Sequence, residues 1–391
     1  MAISPDPRPN IATPANTITE NDEAAKTPKQ KQKEKKLNIS FIENLLSRIS
    51  VKDKIFFVQQ VGIMVQTGIS LGIALKTLAE QTVNKKFKAI LADLQATVER
   101  GNLLSEGLEE HKIVFGELFV NMVRAGESSG KLEEVFKQLF VQMKKDHDII
   151  SKVKSAMIYP AVVVTAMVGV AIMVIIYVVP NLTAIFKEMG GTLPLATRVL
   201  IAISEFTLAY GIFILIAVVV AIILLRKLIL TPKSRFIVHT MILKTPIAGN
   251  IIKKINLARF CRTLSSLLKT DIAIVKSFEI TSNILGNELY KRALLEGKEK
   301  IKKGKNVHDS LEAYSTLFPP VIMQMIAVGE ETGAIDTILE QSAVFFEDEV
   351  DQIMKNLPAI IEPVLMLILG VGVGAMAVAI IMPMYSLAEQ V

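Results

Sequence analysis

Laid against itself at an offset of 203 residues, the chain matches without a gap. Thr67 falls on Thr270, Ile69 on Ile272, Gly101 on Gly304, Leu108 on Leu311, Phe115 on Phe318, Met122 on Met325, Pro160 on Pro363 and Pro180 on Pro383. The densest match pairs Gly126, Glu127 and Gly130 with Gly329, Glu330 and Gly333. A duplication of about 125 residues per copy is the economical source of such a register. Whatever fold one copy takes, the other must take as well.

Each copy ends in an apolar run. Residues 157–179 and 363–384 carry no charge, nor do residues 206–225 between the copies, and each run is close to the roughly 20 residues a helix needs to cross a bilayer. An integral membrane protein with three spans follows, and none of the three is a secretory signal, because all lie far from the N-terminus. Lys144, Lys145, Lys152 and Lys154 precede the first span, and Arg226, Lys227, Lys233 and Arg235 follow the second. Residues 180–205 carry only Lys187 and Arg198 against Glu188 and Glu205. Basic residues near span ends stay cytoplasmic, so the N-terminus and both soluble segments are expected there and the C-terminus outside. The same rule absorbs the net charge of +6; no nucleic-acid-binding motif accompanies the lysines, and no nucleic acid is expected as a partner.

The expected layout is all-α: a cytoplasmic tail at 1–37 too poor in large apolar residues to order, an amphipathic helix at 38–50, and a first helical domain at 51–156. Spans at 157–179 and 206–225 flank an external loop at 180–205. A second helical domain at 226–357, a span at 363–384 and an external tail at 385–391 complete it. Ser40 and Glu43 form a capping box for the amphipathic helix, whose apolar face either docks on the following domain or lies on the inner leaflet. Apolar spacing such as Phe87, Ile90, Leu91, Leu94 and Val98 predicts bundles of about six helices. The last helix of the first bundle starts near Lys131 and continues into the first span, and Pro358 predicts a kink before the third.

The stretch RAGESSGKLEEVF at 124–136 resembles a phosphate loop at first sight. Gly126 to Gly130 is one residue too short for that motif, Leu132 stands where a hydroxyl is needed, and Lys131 becomes Ala334 in the second copy. A turn between two helices explains the repetition better, with Gly126 and Gly329 as left-handed helix ends and Gly130 and Gly333 permitting close approach. Glu127 and Glu330 then favour the start of the following helix through its dipole, or else form a partner-facing or metal-binding turn.

Glu362 before Pro363, where the first copy has Tyr159 before Pro160, reads as an interfacial cap or packing anchor at the mouth of the third span, or as a coupling residue. Gly370 and Gly374 give that span a close-approach face, used within the chain or between chains. Cys261, the single cysteine, reads as core filler, and Asp146-His147-Asp148 as solvated charge. No nucleophile elbow, metalloprotease motif or spaced histidine pair is present, so no catalytic, cofactor or metal residues are expected. Internal repeats also occur in small transporters and channels, but these spans lack the buried polar residues and broken midpoints of a pathway.

The order of A125-G-E-S-S-G130, Tyr159-Pro160, G329-E-E-T-G333, E362-P363 and Ile381-Met382-Pro383 closely resembles the GspF/PilC family, inner-membrane platform proteins of type II secretion and type IV pilus systems. Where that family often has A-G-x-P, this chain has Thr67-Gly68-Ile69-Ser70 and Thr270-Asp271-Ile272-Ala273. The resemblance implies a non-enzymatic platform that binds a hexameric assembly ATPase, pilin or pseudopilin subunits and other inner-membrane assembly proteins, and that forms homo-oligomers.

Overall fold

A computed structural model of the chain describes residues 49–181, 183, 195–229 and 231–388. The expected tail at 1–37 and nearly all of the helix at 38–50 lie outside these residues. Everything described is helix or connection, with no strand.

The first copy consists of α1 (Val51–Gln66), α2 (Leu71–Gln81), α3 (Lys85–Glu99), the short α4 (Leu104–Glu110) and α5 (Lys112–Phe115), α6 (Glu117–Ser129) and α7 (Leu132–Met173). Then come α8 (Leu195–Ile229) and α9 (Pro232–Lys244). The second copy consists of α10 (Ala248–Lys269), α11 (Ile274–Ile284), α12 (Glu288–Lys302), α13 (Val307–Leu311), α14 (Pro320–Thr332) and α15 (Ile335–Ala388). Helices α2, α3 and α6 map onto α11, α12 and α14 at both ends under the 203-residue offset. Counterparts α1 and α10 share their C-terminal position, and α7 and α15 their first residue.

Local chemistry sets these boundaries twice over. Asn84 caps α3 by accepting from the amides of Lys86 and Phe87, and its counterpart Asn287 caps α12 by accepting from Leu289. Ser50 and Asp53 form a reciprocal capping box on α1. Gly68 has φ +82°, a conformation that costs glycine nothing, whereas its counterpart Asp271 holds φ +59°, which short polar residues tolerate best. The turn therefore survives the departure from A-G-x-P.

Each bundle closes on aromatic residues. Phe57, Phe87, Phe115, Phe119 and Phe136 stack through the first core, and Phe260, Phe278, Tyr290 and Phe318 through the second. Tyr290 stands where the first copy has Phe87; fully buried, its hydroxyl donates to the Leu317 carbonyl at 2.8 Å, satisfying the one polar atom the substitution adds.

The bundles are not separate bodies. Leu267 and Ile280 of the second copy belong to the first copy's core, and Ile149 of the first belongs to the second's. Helix α7 lies along the seam of α10 and α15. Gln142 donates to Thr263 at 3.0 Å, Asp146 pairs with Arg259 at 2.6 Å, and Lys145 and Lys152 pair with Glu347 and Asp351 at 3.0 and 2.7 Å. Asp146, expected as solvated charge, is thus an inter-repeat ion pair. Contacts advance in the same direction along α7 and α15, so the two helices run parallel.

Both helices continue without a break into apolar segments. Leu132–Asn181, Thr197–Ala221 and Ile335–Ile381 are long and apolar enough to cross a membrane. Residues Val174–Val178 of the first form one π-helical turn. Helix α15 passes through Pro358 and Pro363 without interruption. Helix α8 begins at Leu195, so the stretch expected as external loop at 180–205 holds its first turns; the hydroxyl of its third residue, Thr197, donates to the Ala379 carbonyl at 2.7 Å, and that of Ser204 to the Ile175 carbonyl at 2.6 Å, tying the three segments together. Hydroxyls bonded to backbone oxygens are the economical way to carry polar atoms at that depth.

Candidate functional site

The duplicated turn is the most specific feature shared by the copies, and its geometry corrects the sequence reading on both residue types. Gly130 and Gly333, each at φ +70°, are the left-handed residues that end α6 and α14. The next amides, Lys131 and Ala334, donate back to the carbonyls of Gly126 and Gly329 at 2.9 and 3.0 Å, closing a Schellman motif in both copies. Gly126 and Gly329 are the close-approach positions instead, inside the helices. A Cβ on Gly126 would meet Val135 Cγ2 at 2.7 Å, and one on Gly329 would meet the Ile335 Cα at 2.9 Å. The expected roles of the two glycine pairs are therefore exchanged.

Glu127 and Glu330 do cap a helix, but not the one that follows. Glu127 accepts from the amides of Leu104 and Ser105 at 2.6 and 2.9 Å, one on each carboxylate oxygen. Glu330 accepts from Val307 and His308 at 2.5 and 2.8 Å in the same way. The capped helices are α4 and α13, more than twenty residues earlier. Their own N-cap residues, Leu103 and Asn306, make no side-chain cap bond. A carboxylate aimed at two free amides satisfies both orphan donors and complements the positive end of the helix. With both oxygens of each side chain engaged, the arrangement is a clasp between α6 and α4, repeated between α14 and α13. Asn306 carries an acceptor of its own and still leaves the cap to Glu330, so no local residue pattern announces the clasp.

The membrane-proximal residues are placed differently in the two copies. Pro160 is buried inside α7 while Tyr159 is exposed; Glu362 and Pro363 are both exposed. Glu362 lies deep within α15, which began at Ile335, so the expectation that it caps a helix entrance is corrected: no helix end is near it. A Cβ on Gly370 or Gly374 would meet no atom within 4 Å, so among the described residues nothing packs on their close-approach face.

Polar burial concentrates on the seam between α10 and α15. Arg262, with its side chain 7% exposed, donates to both oxygens of the equally buried Glu347 at 2.8 and 3.0 Å, and Lys145 of the first copy reaches the same carboxylate. A bidentate pair of this kind fixes two helices in one register. Lys269 adds a pair with Glu340 about two turns away. Asp351 is held below the usual carboxylate range by the hydrogen bond from Lys152, and then by that from Lys355. Cys261 is fully buried, and burial pushes its thiol well above the usual range, as suits core filler. Among the described residues no group of three or more His, Cys, Asp or Glu side chains is placed to hold a metal ion.

What fold and turn define together is a duplicated helical protein whose two bundles are fused to each other and run directly into apolar spans. The family described as Type II secretion system (T2SS), protein F matches the chain twice, at residues 57–180 and 260–383, the same 203-residue offset. The chain is 37% identical over 337 residues to the type IV pilus assembly protein PilC of Thermus thermophilus, covering 86% of this chain and 83% of that one. It is 32% identical to the type IV pilus assembly protein TapC of Aeromonas hydrophila, covering 88% and 84%. It is 31% identical to the type II secretion system protein F of Vibrio cholerae, covering 86% and 82%. The chain belongs to the T2SS protein F family, and its relatives serve secretion and pilus assembly.

Proposed function

We propose that the chain is a non-enzymatic inner-membrane platform coupling a cytoplasmic hexameric assembly ATPase to the extraction and polymerisation of pilin or pseudopilin subunits. Both bundles would lie in the cytoplasm and the C-terminus outside. The observation that carries the reading is the continuity of α7 and α15, each running from a bundle into an apolar span while packed on the other. A continuous helix rises about 1.5 Å per residue and moves as a stiff rod, so displacement of a bundle would reach the bilayer with little loss. The names of the relatives support assembly of pili or secretion filaments. The clasp at Glu127 and Glu330 serves this role indirectly, by making each bundle one solid body.

The test separates coupling from folding. Four glycines inserted after Ser155 and after Asn356 uncouple bundles from spans outside the clasps. In a strain lacking the native chain, such variants should reach normal membrane levels and still recover the ATPase, yet assemble no filaments. Normal filaments from chains with both insertions would contradict the proposal.

A further inference from the structure

The two copies do not meet through equivalent surfaces. Helix α7 offers Gln142, Lys145, Asp146 and Lys152 to the second copy, while α10 and α15 receive them with Thr263, Glu347, Arg259 and Asp351. The counterparts of those receiving residues in the first copy are Gln60, Lys144, Phe56 and Asp148, and among the described residues no hydrogen bond or ion pair joins α1 to the second copy. The internal contact is therefore heterologous, a ridge from copy one in a seam of copy two. Among the described residues it leaves one seam, α1 with α7, and one ridge, on α15, unfilled.

Both surfaces carry exposed apolar groups and match at two of the three charged positions; at the third, Glu349 is paired with Lys254 of its own chain and falls opposite Phe56. The α1–α7 seam holds a cleft of about 410 Å³ lined in part by Gly62, Ile63, Phe140 and Val141. Beside it Phe56 is 51% exposed and Ile63 46% exposed, where the filled seam has the ion-paired Arg259 and the buried Ser266. On the free ridge Phe345 is 49% exposed, where α7 has the buried Gln142. Carrying the two lysine pairs of the filled seam across by the 203-residue offset sets Asp348 against Lys144 and Lys355 against Asp148. Both are opposite in charge, the first with its signs reversed. Lys144 and Asp348 are exposed, and among the described residues neither has an ion-pair partner.

We infer that copies of the chain assemble head to tail, the Phe345–Lys355 ridge of α15 in one copy seated in the α1–α7 seam of the next. The internal packing supplies the template, the exposed aromatic and aliphatic groups the burial, and the charge pairs the register. Because α7 and α15 run parallel, repeating the internal contact between chains keeps their apolar spans side by side in one direction.

The experiment mixes two full-length variants with different tags, Lys144→Cys and Asp348→Cys, in the same membranes. Cys261 is buried and stays silent. Oxidation should join the two tags and leave each variant alone without same-tag dimers. Same-tag dimers of Lys144→Cys would mean an isologous contact and overturn the inference, as would the absence of mixed-tag product. In a second measurement Lys144→Glu should lower the mass of the detergent-solubilised assembly, and Asp348→Lys in the same chain should restore it; loss without restoration counts against the pairing.

Discussion

Helices α1 and α10 descend from one sequence and now do different work. In α1 only Phe57, Val58 and Val61 are buried, all facing the core of its own bundle. Helix α10 is covered on nearly every side and buries Asn256, Arg262, Thr263, Ser265 and Ser266 as well. Its extra burial comes from α7 of the first copy and from the polar seam with α15, so α10 is the axle of the molecule and α1 a peripheral helix. Duplication held the turns and clasps fixed, where backbone geometry permits few alternatives, and released the helix faces, where a new neighbour could be accommodated by new side chains.

The sharpest way to break this comparison is at Arg262. Its replacement by Met leaves Glu347 buried with only Lys145, and removal of one partner from a buried pair costs about 3–5 kcal/mol. The counterpart Gln59→Met lines an open cleft and should leave the thermal midpoint in detergent nearly unmoved. Equal losses at the two positions would mean that the copies are energetically alike.

The clasp glycines come next. Overpacking costs about 1–3 kcal/mol, and Gly329→Ala should cost more than Gly126→Ala. The added methyl meets backbone, the Ile335 Cα at 2.9 Å, in one case and only the side chain of Val135, Cγ2 at 2.7 Å and Cβ at 3.1 Å, at closest approach in the other. Denaturant midpoints of the two variants measure the order directly.

A smaller and symmetric effect is expected at the acids. Glu127→Gln and Glu330→Gln each weaken a helix cap by about 0.5–2 kcal/mol, by similar amounts in the two copies, with amide exchange quickening at Leu104 and Ser105 in one and at Val307 and His308 in the other. Smallest is a pH effect at the inter-repeat contact. The folded-state pKa of Asp351 is depressed by Lys152, so its stabilisation is complete above the ordinary carboxylate range and is lost as pH falls through the folded value. Asp351→Asn should flatten acid destabilisation in that window, read from thermal midpoints across a pH series.

Much of this frame was legible in the sequence because the repeat reports on itself. The helical spacing of Phe87, Ile90, Leu91, Leu94 and Val98, the existence of the turn and the three apolar segments all follow from spacing and offset. What the sequence hid were choices between equivalent local solutions and contacts across long separations. Nothing in G-E-x-x-G says which glycine turns left-handed and which lies under a neighbouring helix; that depends on where Val135 and Ile335 arrive. The Glu127 clasp reaches back to Leu104, and the Asp146–Arg259 pair joins different copies, so neither has a local signature. Helix α8 starts early because the mixed polar stretch from Leu195 is anchored by Thr197 and Ser204, which a search for charge-free runs passes over.

The platform reading is tested most directly by capturing the full-length chain from its native membranes after mild cross-linking and identifying what comes with it by mass spectrometry. The proposal predicts a hexamer-forming ATPase together with subunits bearing a pilin-type apolar helix. Recovery of neither above an untagged control, with the chain itself abundant and folded, would contradict it.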